Sequence, residues 1–207
     1  MFPLLRDARK HYIQRITTSQ QRSAFRKFVN TYHSYIKDEN RPSRELYWLL
    51  YENDILVGAF GFGSAFNFSK YIKNFMNEYH IEFNELAYNI VYCLYGNEDK
   101  NAGTIFLSKV RKDCVEWWKG RYGDTIKGFQ SFILPPRTGA MYKADNWILL
   151  GETTGDSIKT VTVKYPGDKT IREIHKDGSV AYRIKTGHKV EKKLIFVRLV
   201  NMKKYKG

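Results

Sequence analysis

The chain has 207 residues, a 43% hydrophobic fraction and fifteen tyrosines, enough to bury a full domain core and too apolar for wholesale disorder. Its net charge of +14 is unevenly placed: residues 1–45 hold ten Lys/Arg against four Asp/Glu, residues 46–155 eleven against twelve, and residues 156–207 fourteen against five. A near-neutral middle between two basic arms suits a polyanion such as nucleic acid, because each phosphate neutralised releases counterions.

No apolar run reaches the twenty or so residues of a membrane helix, and Met1–Leu5 is too short for a secretory h-region. A soluble, cytoplasmic protein is expected. Cys93 and Cys114 lie in apolar settings without a CxxC or a histidine cluster, so reduced core thiols are expected and no metal site.

In chain order, residues 6–37 carry Ile13, Ile16, Phe25, Phe28, Val29, Tyr32 and Ile36 at steps of three and four, which predicts helix. Thr17-Thr18-Ser19 divides it in two, with Ser19 as the N-cap of the second helix. A loop follows at residues 37–42. Glu45–Leu50 and Ile55–Phe62 read as an antiparallel hairpin turning at Asn53-Asp54. Phe66–Tyr79 is a basic, aromatic-rich connector, part of it helical.

Leu86–Leu94 is a continuous apolar run that fits a strand buried on both faces. A polar loop, Tyr95–Asn101, separates it from Ile105, Phe106, Val110, Cys114 and Trp117, which repeat at helical spacing. A helix starting at Ala102-Gly103-Thr104 points free N–H groups and a positive dipole end into that loop, a setting suited to a phosphate. Any α/β unit also shares this pattern.

The helix ends in glycines near Gly120 and Gly123. Gly128–Leu134 is a strand stopped by Pro135-Pro136, Thr138–Ala144 makes one or two helical turns, and Trp147–Leu150 opens another strand. Beyond residue 155 three β-rich segments, 158–165, 180–185 and 193–200, predict a basic antiparallel appendage spanning 156–207.

Three phrases, YHSYI with RELYWLLYENDILVGAFGFGSA, LAYNIVYCLYGNEDKNAGTIFLSKV with WWKGRYGD, and RTGAMYKADNWILLGETTG, resemble a family of the GNAT acyltransferases. It is the family that includes the phage Mom DNA-modification protein and the Druantia component DruA, and the likeness covers about residues 30–155. The resemblance implies an α+β core with a mixed, mostly antiparallel sheet flanked by helices. It also implies an acyl-CoA donor such as acetyl-CoA, a DNA partner, a phage or anti-restriction setting, and transfer to the exocyclic amine of adenine.

By the same resemblance the cofactor lies along Leu94, Tyr95, Asn101, Ala102, Gly103 and Thr104, and Tyr142 protonates the departing thiolate. A phenol is chemically able to do so, and it is equally able to pack beside Trp147. His33, in YHSYI, is a candidate general base or a structural histidine. Glu85 and Asn89 flank the inner strand and could hydrogen-bond a base amine, with Glu85 a catalytic candidate. Phe68 and Tyr71, interleaved with Lys70 and Lys73, suit stacking plus phosphate contact; Arg137 and Lys143, around the short helix, join them. The alternatives are a non-catalytic nucleic-acid-binding module on the same scaffold and a protein or small-molecule N-acetyltransferase.

Overall fold

The computed structural model describes residues 10–34, 44–65, 69–165, 167, 170–175 and 177–201. Among these described residues, ten strands and four α-helices follow the order β1 (His11–Arg15), α1 (Ser19–Tyr32), β2 (Glu45–Glu52), β3 (Ile55–Ser64), α2 (Lys70–Glu78), β4 (Leu86–Leu94), α3 (Ala102–Tyr122), β5 (Gly128–Ile133), α4 (Ala140–Ala144), β6 (Ile148–Glu152), β7 (Asp156–Val163), β8 (Thr170–Ile174), β9 (Val180–Lys189) and β10 (Leu194–Leu199). Seven strands form one sheet in the order β1-β2-β3-β4-β5-β10-β6, and β7-β9-β8 form a second. In the large sheet only β4 and β5 run parallel; every other neighbouring pair is antiparallel.

Strand alternation sorts the core onto two faces. Leu46, Trp48 and Leu50 of β2 pack with Phe106, Leu107, Val110 and Cys114 of α3 and with Tyr142 of α4. Tyr47 and Leu49 point the other way, against Phe25, Phe28 and Val29 of α1. The same second face, farther across the sheet, meets Ile72, Phe75 and Met76 of α2. Helices α3 and α4 therefore cover one face, and α1 and α2 the other.

Two placements differ from the sequence expectation. Residues 11–15, expected as helix, form β1 against β2, with Tyr12 stacked at 4.8 Å on its cross-strand partner Tyr51. Five residues offer one helical turn and little helical stability, whereas pairing with a formed edge satisfies their backbone groups. Helix α1 then starts one residue earlier than expected, with Thr18 as N-cap in a reciprocal capping box with Gln21. The segment 193–200, expected in the appendage, supplies β10, which inserts between β5 and β6 of the large sheet. Its Ile195, Phe196, Val197 and Leu199 are core residues. The small sheet is thus an insertion between β6 and β10. Among the described residues no helix is long and apolar enough to cross a membrane.

Candidate functional site

Strands β4 and β5 pair only at Leu86–Gly128, Ala87–Phe129 and Tyr88–Gln130. Beyond that point β4 runs on to Leu94 and β5 to Ile133 without each other, so the sheet opens into a wedge. A bulge in β4 accompanies the opening: Gly61 faces Val91 while Phe62 faces Asn89, leaving Ile90 as the extra residue. One extra residue flips the side-chain parity. Tyr92 and Leu94 consequently share the α3 face with Ala87, while Ile90, Val91 and Cys93 pack toward α1.

Asn89 sits at the apex of the wedge. Its Nδ2 donates to the carbonyls of Gly61 and Val91, both at 3.0 Å, which sets the orientation of the amide. Its Oδ1 accepts from Tyr142 Oη at 2.5 Å and from Ser131 Oγ at 3.4 Å. Tyr142 is buried, edge-on to Trp147 at 5.0 Å and stacked over Phe196 at 5.7 Å. The ring is a packing residue, and its hydroxyl is nonetheless aimed into the opening. Asn89, expected to face a base, is committed to holding this hydroxyl and the bulge.

Helix α4 owes its position to two devices. Gly139 enters it at φ 71°, and a Cβ there would lie 2.5 Å from the Phe196 ring, so both backbone and space demand glycine. Asp145, just past its end, takes a two-pronged bond from buried Arg111 of α3 at 3.1 and 3.2 Å, and Trp147 Nε1 at 2.9 Å. Arg198 of β10 donates to the Asp145 carbonyl. A buried arginine–aspartate pair thus fixes the short helix against the long one.

Helix α3 begins without a side-chain cap at Asn101. Tyr92 Oη donates to the Gly103 carbonyl at 2.5 Å, tying the first turn to β4, and burial holds that phenol well above its ordinary pKa. The preceding loop is pinned by carboxylates. Glu52 accepts from the backbone N–H of Glu98 at 2.7 Å and of Asp99 at 3.1 Å, and pairs with His11 Nε2 at 3.1 Å. Asp99 accepts from the Asn101 N–H at 2.8 Å and from Lys10 at 3.1 Å. The Glu98 amide chiefly, then the Asp99 amide and the His11 imidazole, keep the Glu52 carboxyl below its usual range against the effect of burial. His11, Glu52 and Asp99 bring potential metal-ligating atoms within 4.8 Å of one another, but the carboxylate oxygens are already engaged by these amides and by Lys10. With the N–H groups of residues 98, 99 and 101 spent in this way, and that of buried Ala102 given to the Asp99 carbonyl at 3.0 Å, the anion-facing part of the unit is Gly103-Thr104.

His33 caps the end of α1, its N–H bonded to Val29 at 2.9 Å. On one side of it Tyr32 stacks on Tyr95, and on the other Ser34 Oγ accepts from Arg137 at 2.5 Å. Arg137 also lies near Cys93, whose thiol is pushed up to about 11 by burial against the opposing pull of that charge. Tyr95 and Arg137 therefore reach the end of α1 on either side of His33, through Tyr32 and Ser34, and exposed Lys143 stands on α4 beside Tyr142. Glu85 does not join them. It lies before β4, about 30 Å from Leu94 along an extended strand, where it binds Lys127 at 2.8 Å and caps its own turn through the Glu82 N–H. Lys70, Tyr71 and Lys73 are exposed on α2, on the sheet face opposite α3 and α4. Phe68 lies outside the described residues.

Sequence reasoning missed the Glu52 and Asp145 clusters. For Glu52 a signal existed: it continues the inward register of Leu46, Trp48 and Leu50, so an acid falls on a core-facing position. Asp145 had none, because its partner Arg111 lies 34 residues away on another element.

This wedge, long helix and short capping helix define an acetyltransferase fold. The chain is similar over 92% of its length to Arabidopsis thaliana NAA60 in complex with acetyl-CoA, covering 99% of that chain at 12% identity and a TM-score of 0.55. It is likewise similar to FeeM, an N-acyl amino acid synthase from uncultured soil microbes, covering 92% of both chains at 13% identity and a TM-score of 0.51. No protein-family model matches the sequence, and no curated protein matches it. The expected GNAT-like fold is the fold observed.

Proposed function

We propose that the protein is an acyl-CoA-dependent N-acyltransferase acting on nucleic acid, with the exocyclic amine of a DNA adenine as acceptor. The observation that carries the reading is the parting of β4 from β5 over a tyrosine hydroxyl, with the uncapped N-terminus of α3 alongside. Acetyl-CoA or a related acyl-CoA supplies an activated acyl thioester when bound. The residues present fit such a group. Gly103 and Thr104 in the first turn of α3, helped by Lys100, would hold its phosphates, and the unpaired backbone edge of β4, ending at Leu94, would take its extended arm.

Tyr142 Oη donates to Asn89 Oδ1, and in this reading its proton turns from that amide oxygen to the departing thiolate. In this reading half-buried His33, at the end of α1, accepts the proton that an acceptor amine releases. The acceptor class rests on the +14 charge and on Arg137 and Lys143 flanking the opening. A base within a duplex must be extruded to enter the wedge, at a few kcal/mol that single strands do not require.

A second reading, a nucleic-acid-binding module without turnover, is favoured by the capture of the residue 98, 99 and 101 amides by internal carboxylates. Nucleoside mass spectrometry of DNA from cells expressing the chain, beside cells expressing Tyr142→Phe, separates the two. A new adenine mass with the unmutated chain alone supports transfer. Unchanged nucleosides, from a folded protein that still binds DNA, support the module instead.

A further inference from the structure

At the open end of the wedge, three rings form a ladder from the core into solvent. Phe28 is 6% exposed, Tyr32 42% and Tyr95 58%. Phe28 and Tyr32 meet at 4.8 Å, and Tyr32 and Tyr95 stack at 4.1 Å with their planes 14° apart. Tyr32 is the last residue of α1 and Tyr95 the first beyond β4, so the ladder joins the two elements where the strands separate. Each ring is backed by the one beneath it, and the outermost presents a flat, supported π-face to water. Such a face accepts a further planar ring by stacking.

Arg137 stands beside the ladder on both counts the structure gives. Its guanidinium bonds to Ser34, two residues beyond Tyr32, and its charge reaches Cys93, two residues before Tyr95. A supported aromatic face next to a guanidinium matches the two halves of a nucleotide, a base that stacks and a phosphate that takes a charge-assisted bond. The competing account is that the tyrosines merely staple α1 to the sheet. Stapling accounts for the buried side of the ladder and leaves the exposed face of Tyr95 without a role.

We propose that Tyr32, Tyr95 and Arg137 form a nucleotide subsite, with the base stacked on the outer face of Tyr95 and a phosphate at Arg137. The subsite rests on the transferase reading, in which both reaction partners carry a nucleotide: the nucleic-acid acceptor and the phosphorylated adenosine of coenzyme A. The shared chemistry is the same, and the source is decided by experiment.

Tyr95→Ala and Arg137→Gln are compared with the unmutated full chain by calorimetry against three probes: coenzyme A, acetylpantetheine (the thioester arm without its nucleotide) and a single-stranded oligodeoxynucleotide. Thermal melts confirm that the variants fold. Loss of one stacked base predicts at least about a five-fold weaker binding of a nucleotide-bearing probe by Tyr95→Ala, with acetylpantetheine unchanged. Weakening confined to coenzyme A assigns the subsite to the donor, and weakening confined to the oligonucleotide assigns it to the acceptor. If the acceptor is the source, Arg137→Gln also lowers the logarithmic salt slope by about one. Equal affinities of variants and unmutated chain for all three probes, or no binding of either nucleotide probe by the unmutated chain, overturn the subsite. Tyr142-dependent transfer could survive that result. Conversely, Tyr95-dependent oligonucleotide binding without any acyl-CoA binding retains the subsite and removes the transferase reading.

Discussion

At the scale of single residues, the Asn89–Tyr142 bond separates packing from chemistry. Tyr142→Phe keeps the ring between Trp147 and Phe196 and removes only the hydroxyl. Acyl-transfer turnover is expected to fall by about 10²–10⁴-fold, the usual worth of a positioned proton donor, with a melting temperature near that of the unmutated chain. Steady-state kinetics beside a thermal melt checks both halves. Asn89→Leu should do the reverse to stability: it strands the Gly61 and Val91 carbonyls and the tyrosine hydroxyl together. A buried group left without its partner costs about 1–3 kcal/mol, which chemical denaturation can measure. Glu52 supplies a pH signature. Its folded carboxyl titrates below its unfolded value near 4.3, so its contribution is present above that pH and is lost as the pH falls through the folded value. Melting temperatures taken from pH 6 to pH 3 should therefore drop more steeply for the unmutated chain than for Glu52→Gln.

Among elements, the first turn of α3 carries a sharper test than its composition suggests. A Cβ added at Gly103 meets Met141 Sδ at 3.5 Å and Leu94 Cδ1 at 3.6 Å, ordinary contact that the fold tolerates. Gly103→Ala should leave stability unchanged or raise it by up to about 1 kcal/mol through helix propensity, yet weaken coenzyme A binding by crowding the phosphate approach. Unaltered coenzyme A affinity in a stabilised variant would mean that no ligand approaches the turn closely. The strand–loop–helix unit was legible because its signals are local: a nine-residue apolar run, a glycine-bearing polar loop and a helical period. Residues 11–15 were misread because their strand exists only through β2, a partner more than thirty residues away. The Arg111–Asp145 pair was missed for the same reason, and for Glu52 the inward register of β2 marks the acid while its partners lie on other elements that no window along the chain contains.

For the whole molecule, the return of β10 decides where the chain can be cut. The ends of the inserted sheet are already close, with the Val190 N–H bonded to the Gly155 carbonyl at 2.8 Å. Replacing residues 156–189 by a short turn should leave a cooperatively folding core. Stopping the chain at residue 155 removes four core residues of β10 and should yield a chain without a sharp melt, as followed by circular dichroism. If the shortened chain folds and the excised one does not, the assignment of β10 to the core is wrong. Excision also tests the basic insertion: oligonucleotide affinity that survives it places polyanion binding on the core.

The seating of β10 between β5 and β6 has a consequence for the order of events during synthesis. Translation delivers β5 and β6 before the strand that joins them, so a nascent chain must carry an open seam through the middle of its future sheet. Unpaired edges of this kind recruit other chains. The hairpin sheet β7-β9-β8 emerges in that interval with its own pairings complete, a local fold made while the seam waits. Closure comes with the arrival of residue 199, and until then the wedge has one wall without its backing.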